Sequence, residues 1–194
     1  MRTVQILAFD DMEVLDYAGP YEVFNVAGEL TSPSAFTVAS VGVSDRPVGR
    51  GGFTVVPDHS LDDAPPADIL IIPGGKGSRA LLADDRLLDW LRDRATRTEL
   101  LLTVCTGALP PAAAGLLDGL EVTTHHTAFD TLAEIAPSAT VLRGPRFVRS
   151  SDTIRTSAGV SAGVDLALDV VRELAGSETH AAVVEEMEWM WGTE

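Results

Sequence analysis

The chain has 194 residues, enough for one domain with a full core, and its 45% apolar and 22% charged residues are ordinary globular proportions. A formal net charge of −15 repels phosphate backbones and anionic lipids, so neither nucleic acid nor a membrane surface is an expected partner. A single cysteine rules out an intrachain disulfide, and no stretch reaches the ~20 apolar residues that span a bilayer, so the expected location is the cytoplasm.

Residues 3–9 form a continuous apolar run ended by Asp10 and Asp11, which suits a strand buried on both faces. A short helix is predicted over 21–27, with Pro20 in its first turn. Strands are predicted over 35–41 and 68–72, and a short peripheral one over 53–56, between Gly51-Gly52 and Pro57. Helical spacing covers 78–97 with an interruption near Asp84-Asp85. The apolar run 100–104 ends at Cys105, and a helix of small residues is predicted over 107–117. A strand over 121–124, a helix over 128–135 and short strands at Val141, 147–149 and 154–156 follow. The spacing of Val164, Leu168 and Val171 predicts a helix over 160–175, stopped by Gly176. Ser177 is expected to cap a last helix running to Met190. Strands alternating with helices imply an α/β fold with a mainly parallel central sheet covered on both faces. No linker divides the chain, so residues 1–194 are read as one domain.

The run into Cys105-Thr106-Gly107-Ala108 has the strand–turn–helix context of a nucleophile elbow. Helix N–H groups aimed at the sulfur would favour thiolate over thiol, and ligands of open α/β sheets bind at this end of the strands. A lone buried cysteine acting as a small hydrophobe fits the position equally well. Asp16 follows the first strand and either faces Cys105 from a neighbouring loop or serves a solvated turn. The segment Pro73-Gly74-Gly75-Lys76-Gly77 allows backbone N–H groups to approach a ligand, but it is neither a Walker loop nor a dinucleotide fingerprint.

These segments resemble the DJ-1/PfpI family over nearly the whole chain. The resemblance is carried by Leu15-Asp16 with Gly19-Pro20-Tyr21-Glu22-Val23-Phe24, by Ile71-Ile72-Pro73-Gly74-Gly75, and by Val104-Cys105-Thr106-Gly107-Ala108. It continues through 114–119, Thr123-Thr124-His125 and 156–165. The branch most resembled contains isonitrile hydratase and the ligand-binding halves of AraC-type regulators. The chain stops at Trp191-Gly192-Thr193-Glu194, so no DNA-reading head is expected.

The resemblance implies a flavodoxin-like three-layer sandwich (class I glutamine amidotransferase-like), a homodimer and a small-molecule substrate. It implies Cys105 as nucleophile, Asp16 as the acid beside it and Thr106 as the residue after the cysteine. It places Gly74, Gly75, His125 and Val160 at an oxyanion or substrate-binding site, with the Gly75 and Thr106 N–H groups holding the anion. The family's cysteine proteases usually carry His after Cys; Thr106 stands there, so peptidase activity is not expected. No cofactor is implied, and His59, His125, His126 and His180 lack metal-ligand spacing.

Two departures concern the substrate more than the fold: Pro110-Pro111 interrupts an aliphatic helix, and His126 stands where tryptophan is expected. Isonitrile hydration to N-substituted formamides is the leading expectation. Glyoxalase-like action on 2-oxoaldehydes and a non-catalytic ligand binder or redox sensor are the alternatives. Met187, Trp189, Met190 and Trp191 are read as core or dimer surface.

Overall fold

The structure is a computed structural model and describes residues 1–189. The apolar runs become strands β1 (Arg2–Ala8), β2 (Phe36–Gly42), β3 (His59–Ser60), β4 (Ile69–Ile72) and β5 (Leu100–Val104). Strands β6 (Glu121–Val122), β7 (Thr140–Val141), β8 (Phe147–Arg149) and β9 (Ile154–Ser157) follow. The helices are α1 (Val14–Glu29), α2 (Asp85–Ala95), α3 (Leu109–Ala113), α4 (Phe129–Ile135), α5 (Ala162–Ala175) and α6 (Ser177–Glu186). A seven-stranded sheet runs in the order β3-β2-β1-β4-β5-β9-β8, parallel except for the antiparallel pair β8–β9. Every residue of β4 and β5 is buried, as expected of central strands covered on both faces. This is the flavodoxin-like α/β sandwich expected above.

The order reverses between β1 and β4, because β2 and β3 extend to one side and β5, β9 and β8 to the other. The loops after β1 and β4 therefore part at the carboxyl edge and leave a crevice there. Helix α1 crosses on one face and meets α5 so closely that a Cβ on Gly19 would stand 2.7 Å from Val164 Cγ2.

Several boundaries differ from the expectations. Helix α1 begins seven residues before position 21, so Pro20 lies in its interior, where it removes the bond to the Asp16 carbonyl. Burial among the sheet, α5 and α6 holds the helix together despite that loss. Residues 53–56 form no strand; only an isolated bridge joins Val48 and Thr54, and the edge strand is β3. Phe53 and Val56 are exposed there, with no core face to order them.

The break near Asp84 is present: a 3-10 segment, Lys76–Ala83, gives way to α2, and the Asp84 side chain accepts from the Leu87 N–H at 3.0 Å. The helix expected over 107–117 is much shorter. A 3-10 turn, Cys105–Ala108, leads into a five-residue α3, with the two prolines in its first turn, where N–H groups have no helical partner. Thr123 and Thr124 leave the strand after Val122 and bond elsewhere.

Gly176 ends α5 with φ 92° and is itself the residue before α6, so Ser177 is the first helical residue and not the cap. Met187 and Trp189 pack against the core, and Trp189 Nε1 donates to Asp165 at 3.0 Å. Met190 and Trp191 lie outside the described residues.

Candidate active site

Cys105 is the first residue beyond β5, between the ends of β4 and β9. Its φ is 57°, left-handed backbone that disfavours a side chain. Two bonds hold it there: its N–H donates to the Ala158 carbonyl at 3.1 Å, and its carbonyl accepts from Thr124 Oγ1 at 2.7 Å. Strain of this kind costs on the order of 1–3 kcal/mol and lifts the side chain out of the strand. The sulfur then faces the N–H groups of Thr106 and Val160. Val160 is itself left-handed, φ 50°, an uncommon state for a β-branched residue and one that aims its N–H inward.

Asp16 is not in a solvated turn. It lies in the first turn of α1, fully buried, beside Cys105. Gly74 sits between them: a Cβ there would be 2.8 Å from both Asp16 Oδ2 and Cys105 Cβ, and 2.6 Å from the Thr106 nitrogen. Only a glycine lets β4's loop approach both groups this closely. Oδ2 accepts from the Gly74 N–H at 3.0 Å, while Oδ1 is buried with no hydrogen-bond partner among the described residues. The thiol and the carboxyl still perturb each other as near neighbours.

Burial pushes the Asp16 carboxyl up to about 7, against the opposing pull of the Cys105 thiol and the Gly74 N–H. Burial, and then the Asp16 charge, push the Cys105 thiol up to about 12, outweighing the Thr106 and Val160 N–H groups. The thiolate expected from a helix dipole is thus not the resting form. The 3-10 turn and short α3 supply little dipole, and desolvation wins.

The expected oxyanion pair is also altered. The Gly75 N–H donates to Thr106 Oγ1 at 2.9 Å, and that hydroxyl donates back to the Gly75 carbonyl at 2.9 Å. Ser78 Oγ closes the network, lying 2.8 Å from the Gly75 carbonyl and 3.0 Å from Thr106 Oγ1, with one proton to give to either. Gly75 (φ 128°) therefore shapes the loop with an occupied N–H, and the Thr106 and Val160 N–H groups are the ones directed at the sulfur.

His125 packs on Gly159, where a Cβ would stand 2.1 Å from its Cδ2, and it makes no hydrogen bond to the sulfur. Its Nδ1 lies 2.8 Å from Thr127 Oγ1 and 3.3 Å from the Thr127 N–H, so its polar contacts turn to its own loop. Burial and then His126 lower its pKa, so the ring is neutral at neutral pH. Sequence reasoning missed the parts of Ser78 and Thr124, because a helix start and a strand end explained those residues. Among the described residues, no three His, Cys, Asp or Glu side chains gather as metal ligands.

Together these features define a class: flavodoxin-like α/β sandwiches with a cysteine at the strand-to-helix elbow and a buried carboxyl against it. Within that class, the chain belongs to the DJ-1/PfpI family, which matches residues 2–173. It is similar to isonitrile hydratase of Pseudomonas putida, 33% identical over 190 residues, covering 96% of this chain and 78% of that protein. It is similar to the glutathione-independent glyoxalase DJR-1.2 of Caenorhabditis elegans, 29% identical over 160 residues, covering 79% and 81%. Among solved structures it is similar to a ThiJ/PfpI family protein from Pseudomonas syringae, with a TM-score of 0.87 and 29% identity over 97% of this chain and 75% of that one.

Proposed function

We propose that the protein is an isonitrile hydratase-like enzyme, with Cys105 as nucleophile and Asp16 as the group that moves protons. The observation carrying this reading is the buried Asp16 carboxyl beside the thiol, one oxygen unpartnered, titrating near neutral pH. An acid–base group works best with a pKa near the operating pH. A thiol at about 12 must lose its proton as it attacks, and an adjacent carboxylate can take it.

In the first half-reaction the sulfur bonds to the terminal carbon of R–N≡C while Asp16 takes the thiol proton. Asp16 then returns that proton to the same carbon, giving the thioimidate Cys105–S–CH=N–R. In the second, Asp16 takes a proton from water as the hydroxyl adds to this carbon and passes that proton to the nitrogen, giving Cys105–S–CH(OH)–NH–R. The adduct collapses to HC(=O)–NH–R, and the sulfur leaves and recovers its proton. The sum is R–N≡C plus water giving one N-substituted formamide. The Thr106 and Val160 N–H groups stabilise charge on the sulfur as it forms and as it leaves.

The test is formamide release from phenyl isonitrile by the wild type and by Cys105→Ala. Release by the wild type alone supports the reading; equal release by both, or none by either, sinks it. A neutral His125 near Val160, and the glyoxalase relative, favour a second reading in which the thiol adds to the aldehyde of a 2-oxoaldehyde. Lactate formed from methylglyoxal, without turnover of isonitriles, would support it. The reading includes a homodimer acting in the cytoplasm; a sedimentation mass of one chain at micromolar concentration would remove the dimer.

A further inference from the structure

A cleft of about 290 Å³ opens beside the elbow, between the start of α4 and the loops before β8 and after β9. Two of its lining residues bond to Cys105, Thr124 to its carbonyl and Ala158 to its N–H, and a third, Val160, acts on the thiol through its backbone N–H. The cleft therefore adjoins the elbow that carries the reacting atom, with Val160 between the two.

Its other walls are flat. His125 and His126 have ring centroids 4.2 Å apart, the half-buried Phe129 ring stands next to them, and Pro145 lies opposite in the loop before β8. Arg143 lies over the Phe129 ring at 5.3 Å and pairs with Asp130 at 2.5 Å, which braces that ring from outside. Gly144 and Gly159 contribute backbone with no side chain to narrow the opening. Among the described residues, no Asp, Glu, Lys or Arg lines the cleft.

We propose that this cleft seats the nitrogen substituent of the substrate, and that His126, Phe129 and Pro145 select a flat, uncharged, single-ring group over a charged or branched one. The proposal rests on the hydratase reading for the identity of the reacting group, and it deepens that reading by naming the substrate class. The size is consistent, because pockets for larger ligands run from roughly 300 to 1,000 Å³. Ring stacking on Phe129 supplies selectivity beyond simple burial.

Binding separates this proposal from the catalytic one. The probes are N-phenylformamide, N-tert-butylformamide and 4-formamidobenzoate, titrated by NMR into the wild type, Phe129→Ala and Phe129→Leu. Phe129→Leu keeps apolar bulk without a flat face and serves if Phe129→Ala does not fold. The expected result is tightest binding of N-phenylformamide, weakened about three- to tenfold in the variants, with little change for N-tert-butylformamide. Equal affinity for all three probes, unchanged affinity in both variants, or preferential binding of the carboxylate would overturn it. Selective binding without turnover of any isonitrile would leave the aromatic cleft standing and remove the hydratase reading alone.

Discussion

Replacing Asp16 by Asn should make the protein's stability less dependent on pH, in a direction opposite to that of most carboxylates. The folded state raises this carboxyl from 3.8 to about 7, so between those values it holds a proton that the unfolded chain has lost. Stability therefore falls as pH rises through this window and levels off above it. At about 1.4 kcal/mol per pH unit, the loss between pH 5 and pH 8 is roughly 2.5 kcal/mol. Asp58, Asp63, Asp68 and Glu173 are shifted down, so their contributions change only in acid, below this range. His125 and His180, also shifted down, are common to both proteins and cancel in the difference. Asn keeps an oxygen for the Gly74 N–H and cannot ionise. Urea unfolding of both proteins at intervals from pH 5 to 8 should show Asp16→Asn gaining on the wild type by about that amount. A constant difference across the range would refute the raised carboxyl and the proton-transfer role built on it.

Alkylation of Cys105 by iodoacetamide should be slow at pH 7 and rise about tenfold per pH unit to beyond pH 10, as a thiol near 12 requires; a plateau below pH 8 would contradict it. The kcat/KM for an isonitrile should rise with pH and flatten near pH 7, where Asp16 becomes the base; a decline over that range would oppose this assignment. Gly74→Ala should abolish turnover while leaving a folded protein, because its Cβ would meet the Asp16 carboxyl and Cys105 at 2.8 Å; turnover within tenfold of wild type would show that the contact yields. Thr106→Val should lower stability by about 1–3 kcal/mol in thermal unfolding, since the Gly75 N–H loses its acceptor while Ser78 keeps the Gly75 carbonyl; an unchanged Tm would mean the loop's bonds are replaced.

The strands that place the site were legible because they are apolar on both faces: the runs that became β1, β4 and β5 have no other reading. The elbow was legible from the apolar run ending at Cys105. Helix α1 was not, because burial on several sides erases the polar stripe that marks a helix start, and Pro20 pointed to a later one. The length of α3 depended on whether Pro110 and Pro111 fell inside a helix or at its beginning. The raised thiol was not legible because helix direction is read from local sequence, whereas desolvation depends on packing from distant segments. The occupied Gly75 N–H and the left-handed Val160 depend on loops folding against one another, which residue types alone do not specify.

The central claim is that Cys105 carries the substrate covalently. The direct measurement is the intact mass of protein quenched in acid during turnover of phenyl isonitrile, followed by peptide mapping. The account predicts an adduct equal to one added isonitrile on the Cys105 peptide, formed far more slowly in Asp16→Asn, which lacks the base for the attack, with no adduct and no formamide in Cys105→Ala. Formamide released by Cys105→Ala at the wild-type rate would contradict it.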